Sequence, residues 1–311
     1  MLRLAMTTDA ETFDRVREPL AARGIAVEHV QAKERSLRVS DGRRGEPADA
    51  IEDGLGNDGA EAEGEFDGFD VGFVYPSRLM EGAVVDTRLS VPWVNGRDAA
   101  LTSRNKAGVL AALDDAGLPT PRTTLVSNPA SESTVTEAVS SFSYPVVVKP
   151  NSATRGVGVT TAGDLDSLLG VVDYLNLVHD YRATGDKSYL IQEYLPDARD
   201  YRAMVVDGAY AGAVRRALPA DARATGRWKH NVHQGAEATG VGLPDRAREL
   251  AEQAADTLGI DYLGVDLLET DDRLVVNETN ARPTVDAATK YEPDFYDRLA
   301  ELIERTAAVG K

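Results

Sequence analysis

Gly264-Val265-Asp266-Leu267-Leu268 and, after a short gap, Val276-Asn277-Glu278-Thr279-Asn280-Ala281-Arg282-Pro283 decide the reading of this chain. Residues two apart on a strand share a face, so Glu278 and Asn280 point the same way. A hairpin turning at Asp271-Asp272 brings Asp266 beside them. Three hard oxygen donors then converge, a set that suits Mg²⁺, which keeps several waters and is completed by nucleotide phosphates. The plainer reading is acids on the solvated face of a hairpin. Against it, Asp266 sits among apolar residues, where an unpaired carboxylate is costly.

Upstream lies Val146-Val147-Val148-Lys149-Pro150-Asn151-Ser152-Ala153-Thr154-Arg155-Gly156-Val157-Gly158. A lysine ending an apolar strand, followed by a small-residue loop with Gly156 and Gly158, sets an ammonium and backbone N–H groups around phosphate oxygens. The lysine precedes the glycines, so this is not the GxxxxGK[ST] phosphate loop. A glycine turn alone is equally a plain hairpin loop, and it gains meaning only together with the acidic hairpin.

Strand and helix signals alternate from the N-terminus: a strand at 2–6, a helix capped at Asp9 or Thr12 and running to Arg23, and a strand at 25–30. That is the start of an open α/β layer. Residues 40–68 are rich in glycine and acids with few large apolar side chains, and read as a solvating acidic loop. Strand signals return at 69–75, and the first lobe closes near Pro92-Trp93-Val94-Asn95. A helix is expected over 98–116, then an extended boundary at Leu118-Pro119-Thr120-Pro121. A small α/β lobe follows, with helices at 133–142 and 164–178. From Tyr189 onward strands dominate, predicting an antiparallel or mixed sheet covered by helices at 244–258 and 293–308. The domains expected are 1–95, 96–188 and 189–311.

The chain has 311 residues with 34 Lys and Arg against 51 Asp and Glu, a net charge of -17. Such a surface repels nucleic-acid phosphates. Only seven of the cations are lysine, and the carboxylate excess resembles proteins of salt-loving cells; an acidic enzyme from a GC-rich genome is the alternative. No run approaches the roughly 20 apolar residues of a membrane span, and the first residues lack a signal-peptide core, so a cytoplasmic protein is expected. The chain has no cysteine, which excludes thiolate catalysis and disulfides. His230 and His233 lack an obvious third ligand and read as substrate-side or surface residues. No nucleophile elbow supports a serine hydrolase.

With these motifs in view, residues 97–307 resemble the ATP-grasp superfamily, nearest to the RimK-like glutamate ligases; the first 95 residues fit the preceding domain by pattern only. The resemblance implies an α/β (α+β) ATP-grasp fold with an N-terminal open α/β pre-ATP-grasp domain. It implies that Lys106 and Lys149, with Gly156 and Gly158, contact ATP phosphates, and that Gln192, Glu193, Tyr194 and Leu195 form the adenine hinge. Asp200 and Arg202 match the family's acidic and basic pair after the hinge. Arg215, Lys229 and Asn231 match nucleotide and phosphate contacts. Asp266, Glu278 and Asn280 match the magnesium ligands, with Arg282 in the Asn-Ala-Arg-Pro ending. The implied catalytic set is Arg202, Arg215, Lys229 and Arg282. Two departures bear on the acceptor: Lys229-His230-Asn231 stands where RimK-like enzymes tend to carry Arg-Ser-Asn, and the hinge-to-Asp200 interval is slightly short. Ser152-Ala153-Thr154-Arg155-Gly156 does not match the Ser-Trp-Gly-Arg loop of the lysine-biosynthesis ligases.

The resemblance therefore implies a carboxylate–amine ligase using ATP and Mg²⁺, with Mn²⁺ as a substitute, that forms an acyl phosphate and then an amide. The amine donor would be L-glutamate and the acceptor a carboxylate on a protein tail or small cofactor, with no nucleic acid or membrane partner and room for a homo-oligomer. Two alternatives stay open: a ligase making a dipeptide or glutathione-type product, and a nucleotide-binding regulator without turnover. The intact set Asp266, Glu278 and Asn280 argues against the regulator.

Overall fold

The computed structural model describes residues 1–37, 39, 65–153, 156–179, 186–219, 221–222, 225–228 and 235–309. Most of the acidic segment 40–68 lies outside the described residues, as do Lys229, His230, Asn231 and His233. The chain divides into two compact units: Met1–Arg97 with Thr284–Asp286 and Leu299–Lys311, and Asp98–Pro283 with Ala287–Arg298.

In the first unit, β1 (Leu2–Met6), α1 (Glu11–Ala21), β2 (Ile25–His29), β3 (Val71–Phe73), α2 (Leu79–Leu89) and β4 (Trp93–Val94) form a parallel sheet of order β2-β1-β3-β4 with its helices. Ala5, Val30, Ala32, Phe66, Val85 and Leu89 form an apolar cluster within it. The helix expected to start from Asp9 or Thr12 instead follows Ala10, which gives no side-chain cap. Thr12 is buried inside the helix, where its hydroxyl accepts from the Val285 amide at 3.1 Å. Thr12 is the second residue of α1, already inside the helix, and so is not at the N-cap position.

The second unit begins with α3 (Arg97–Arg104) and α4 (Lys106–Asp115), where one helix over 98–116 was expected. Asn105 breaks it. Its backbone leaves the helical region, and its side-chain oxygen accepts from the Gly108 amide at 3.1 Å, satisfying an N–H that a helix start otherwise leaves bare. The Asn151 side-chain oxygen accepts from the next amide, Ala107, at 2.9 Å, and the Asn151 amide donates to Asn105 at 2.9 Å. The break thus starts α4 at Lys106, tied to the residue that follows the Lys149 strand.

The unit continues through β5 (Thr123–Val126), α5 (Glu132–Val139), β6 (Val146–Pro150), β7 (Thr160–Ala162), α6 (Leu165–His179) and β8 (Tyr189–Glu193). These strands make a sheet of order β5-β8-β6-β7, antiparallel throughout. Val135, Val139, Leu168 and Val172 of α5 and α6 bury against Val146, Val148 and Ile191. Next come β9 (Arg199–Val206), β10 (Ala209–Ala217), β11 (Glu237–Val241), α7 (Asp245–Leu258), β12 (Tyr262–Glu269), β13 (Leu274–Asn280) and α8 (Phe295–Val309). The five strands are antiparallel in the order β11-β10-β9-β12-β13. One face carries Ala203, Val205, Ala213, Leu263, Val265 and Leu267 and packs on Val109 and Leu113 of α4 and Leu250, Ala251 and Ala254 of α7. Among the described residues no helix is long and apolar enough to cross a membrane.

Candidate active site

The other face of the five-stranded sheet carries charge. Alternation on β9 sends Ala203 and Val205 into the core and leaves Asp200 and Arg202 opposite. On β12, Val265 and Leu267 are core, so Asp266 faces Arg202, its register partner. On β13, Glu278 pairs with Asp266 and Asn280 with Gly264, so the expected hairpin does bring the three oxygen-bearing residues to one face. A register shift between Asp266 and Leu267 accommodates the extra residue Asn277.

Asp266 is 6% exposed, and neither of its oxygens is bare. Arg202 donates through Nε to Oδ1 at 2.7 Å and through Nη2 to Oδ2 at 2.8 Å, a bidentate pair. Arg216 Nη2 lies 3.0 Å from the same Oδ2. Arg216 also donates through Nε and Nη2 to Asp200 Oδ1, at 2.8 and 2.5 Å. Burial alone would push the Asp266 carboxyl up, and Arg202 and Arg216 outweigh it, holding it below the usual carboxylate range. Burial likewise opposes the charge on Arg216, yet Asp266 and Asp200 hold its pKa above the ordinary arginine value.

Two buried lysines complete the cluster. Lys106, at the first turn of α4, sits 3.5 Å from Glu278 Oε1, and its ammonium donates to the Ala153 carbonyl in the loop after β6. Lys149 donates to Asn277 Oδ1 at 3.4 Å. Burial lowers the Lys149 pKa to about 8, with Lys106 adding repulsion and Glu278 and Asp266 resisting the shift. Two ammonium groups are thus held in one buried cluster of a chain whose net charge is -17.

The remaining expected residues fall into place around this face or away from it. Gln192 is buried at the end of β8 and donates to Thr123 Oγ1 at 2.9 Å. Glu193 accepts from the Arg122 amide at 2.6 Å and pairs with Arg273 at 2.7 Å. Tyr194 meets Trp228 edge to face, with centroids 5.7 Å apart, and Leu195 is half-buried beyond it. Gly156 and Gly158 both have positive φ, 69° and 73°, and a Cβ at Gly158 would come 2.7 Å from Pro150 Cγ. The Arg282 amide donates to Asn280 Oδ1 at 2.8 Å, closing the turn, and Ser103 of α3 accepts from the Ala281 amide at 2.8 Å. Arg215 is not brought to this face: it is exposed and pairs in register with Tyr201, on the side of Ala213. Arg216 and Asn277, which sequence reading did not single out, stand in the network instead.

No group of three or more His, Asp or Glu clusters as a metal site among the described residues. The set present is two carboxylates and one amide. It fits Mg²⁺, which binds proteins through one or two carboxylates and completes its octahedron with water and phosphate oxygen.

Residues 103–303 match the RimK-like ATP-grasp domain family. The chain belongs to the RimK-like ATP-grasp family. It is 32% identical over 218 residues to a "Probable alpha-L-glutamate ligase" of Citrobacter koseri, covering 69% of this chain and 68% of that one. It is 30% identical over 217 residues to a "Ribosomal protein bS6--L-glutamate ligase" of Salmonella paratyphi B, again covering 69% and 68%. The crystal structure of a RimK-domain ATP-grasp protein from Sphaerobacter thermophilus matches 97% of this chain and 99% of its own with a TM-score of 0.66 at 21% identity, a likeness of fold. As a RimK-like ATP-grasp protein, the chain is an ATP-dependent carboxylate–amine ligase with the α/β ATP-grasp architecture anticipated from sequence.

Proposed function

We propose that the ligase joins L-glutamate through its amine to a carboxylate of a protein tail or small cofactor, by way of an acyl phosphate. The observation that carries this reading is the single sheet face on which Asp266, Glu278 and Asn280 sit in register beside the buried ammonium groups of Lys106 and Lys149. The names of the relatives support glutamate as the amine. Residues 96–188 act as the lobe that covers ATP, residues 189–311 as the lobe that holds its adenine and metal, and residues 1–95 as the preceding domain. The protein works in the cytoplasm.

An oxygen of the substrate carboxylate attacks the γ-phosphorus and ADP leaves. The glutamate nitrogen then attacks the acyl carbon, phosphate departs, and the nitrogen loses a proton. Lys106 and Lys149 hold phosphate oxygens as charge spreads in the transferring group, and the loop 152–158 with Gly156 and Gly158 shields the acyl phosphate from water. Gln192, Glu193, Tyr194 and Leu195 present an extended segment to adenine, and Asp200 faces the nucleotide. Arg202, Lys229 and Arg282 supply cations toward the phosphates and acceptor, and Asn231 contributes a nucleotide contact; Arg215, on the opposite face of the sheet, takes no part. Asp266, Glu278 and Asn280 would hold Mg²⁺, which would supply charge neutralisation for the phosphates.

The test is ADP release from Mg-ATP in high-salt buffer, with each amino acid in turn added to cell extract stripped of small molecules, followed by product mass. Glutamate-dependent ADP release with glutamyl mass steps on one acceptor is expected. Release with another amino acid would remove glutamate, and unchanged turnover in Glu278→Ala would remove the metal site.

A further inference from the structure

Asp266 is held by Arg202, and a divalent cation would compete with that guanidinium for the same carboxylate. Arg202 reaches across from the neighbouring strand and spans both carboxylate oxygens at 2.7 and 2.8 Å. A divalent cation needs at least one of those oxygens at close range, and its charge repels a guanidinium held there. We propose that Arg202 is a latch on Asp266, competing with the divalent cation for the carboxylate and released when nucleotide phosphates offer its guanidinium another anion. The proposal rests on the reading of Asp266 as a metal ligand.

Three features single out Arg202 rather than Arg216 as the moving group. Arg216 is locked by two carboxylates, Asp200 and Asp266, whereas Arg202 makes its bidentate contact with Asp266. Arg202 is 25% exposed at its side chain and Arg216 only 8%, so one has solvent to move through and the other does not. The stem of Arg202 passes over Gly264, where a Cβ would stand 3.6 Å from its Cδ, so no side chain of that residue pins it.

The charges favour this order of events. Lys106, Lys149, Arg202 and Arg216 face Asp200, Asp266 and Glu278, which leaves the cluster with more cations than carboxylates. A bare divalent cation adds to the excess. A nucleotide polyphosphate removes it and gives the guanidinium another anion that accepts two of its N–H groups. Metal affinity on this enzyme is therefore gated by the nucleotide through one side chain.

The test is Mn²⁺ binding followed by water-proton relaxation, with and without ADP, on the full chain and on Arg202→Gln, Arg202→Lys and Asp266→Asn. Wild type binds Mn²⁺ weakly alone and tightly with ADP. Arg202→Gln binds Mn²⁺ alone roughly tenfold tighter than wild type or better, the scale of removing one like charge in a partly solvated site. Its advantage shrinks when ADP is present. Arg202→Lys, which keeps the charge but not the two-pronged grip, falls between, and it carries the test if circular dichroism finds Arg202→Gln unfolded. If neither variant binds Mn²⁺ alone more tightly than wild type while Asp266→Asn weakens the ternary complex, the latch is wrong and the metal site stands. If Asp266→Asn leaves the ternary complex unchanged, the metal reading fails and takes the latch with it.

Discussion

Arg215 and Arg216 are consecutive on one strand and lie on opposite faces of the five-stranded sheet. Arg216 is buried between Asp200 and Asp266, while Arg215 is exposed beside Tyr201. A strand turns successive side chains to opposite sides, so two identical residues receive unrelated environments.

That contrast fixes the first expectation. Arg216→Met leaves Asp200 and part of Asp266 buried without their shared guanidinium, and removing one partner of a buried ion pair costs about 3 kcal/mol or more. Arg215→Ala, at an exposed position, changes stability by less than about 0.5 kcal/mol. Urea unfolding of the two variants at neutral pH measures both. Equal midpoints would contradict the buried network.

Lys149 sets a pH dependence. Its pKa in the folded chain is lowered to about 8, below the ordinary lysine value of 10.5. Between those values the unfolded chain binds more protons than the folded one, so this group's contribution to stability rises with pH across the window. Below about pH 8 both forms are charged and the burial penalty stands in full. For ligand binding the sign is opposite, because the ammonium is what phosphates need. Nucleotide affinity should fall above about pH 8, by at most about tenfold per pH unit, and Lys149→Arg should move that fall out of range. Fluorescent-nucleotide titrations from pH 6.5 to 9.5, taken as roughly the window of a lysine near 8, decide it.

Two glycines predict opposite effects of the same substitution. At Gly264 a Cβ would stand 2.9 Å from the Pro283 Cβ, so Gly264→Ala overpacks the site face and costs about 1–3 kcal/mol. Gly170 lies exposed inside α6 with nothing within 4 Å of its would-be Cβ, and Gly170→Ala stabilises by up to about 1 kcal/mol. Thermal melts of the two variants should shift in opposite directions.

With a net charge of -17, unscreened carboxylates repel one another at low ionic strength. Helical circular dichroism should fall as KCl is removed. Full structure in salt-free buffer would mean that the acidic composition carries no such penalty.

Much of the placement of these side chains was legible because it depends on spacing along single strands. Glu278 and Asn280 share a face by the two-residue period, and the turn at Asp271-Asp272 is short enough to bring Asp266 opposite Glu278. Lys149 at the end of an apolar strand was readable for the same reason. The break at Asn105 was not, because it depends on Asn151, which lies far along the chain yet bonds to the Ala107 amide and to Asn105 itself. The two- and three-residue strands β4 and β7 left too brief a pattern to register, and the five residues of β11 are mostly exposed and carry no apolar run.

The sequence by itself determined that the oxygen-bearing residues of the β12–β13 hairpin share one face and that Lys149 ends an apolar strand. Only the tertiary structure decided which arginine reaches Asp266. The register of β10 shifts between Tyr210 and Gly212, and a shift of one residue exchanges the faces of everything beyond it. Parity counted along β10 therefore could not tell Arg215 from Arg216. It took the pairing of β9 with both β10 and β12 to set Asp200, Arg216, Asp266 and Arg202 side by side: β9–β10 is a hairpin whose register depends on a bulge, and the β9–β12 register joins strands far apart in sequence, fixed by the packed sheet and not by any local pattern.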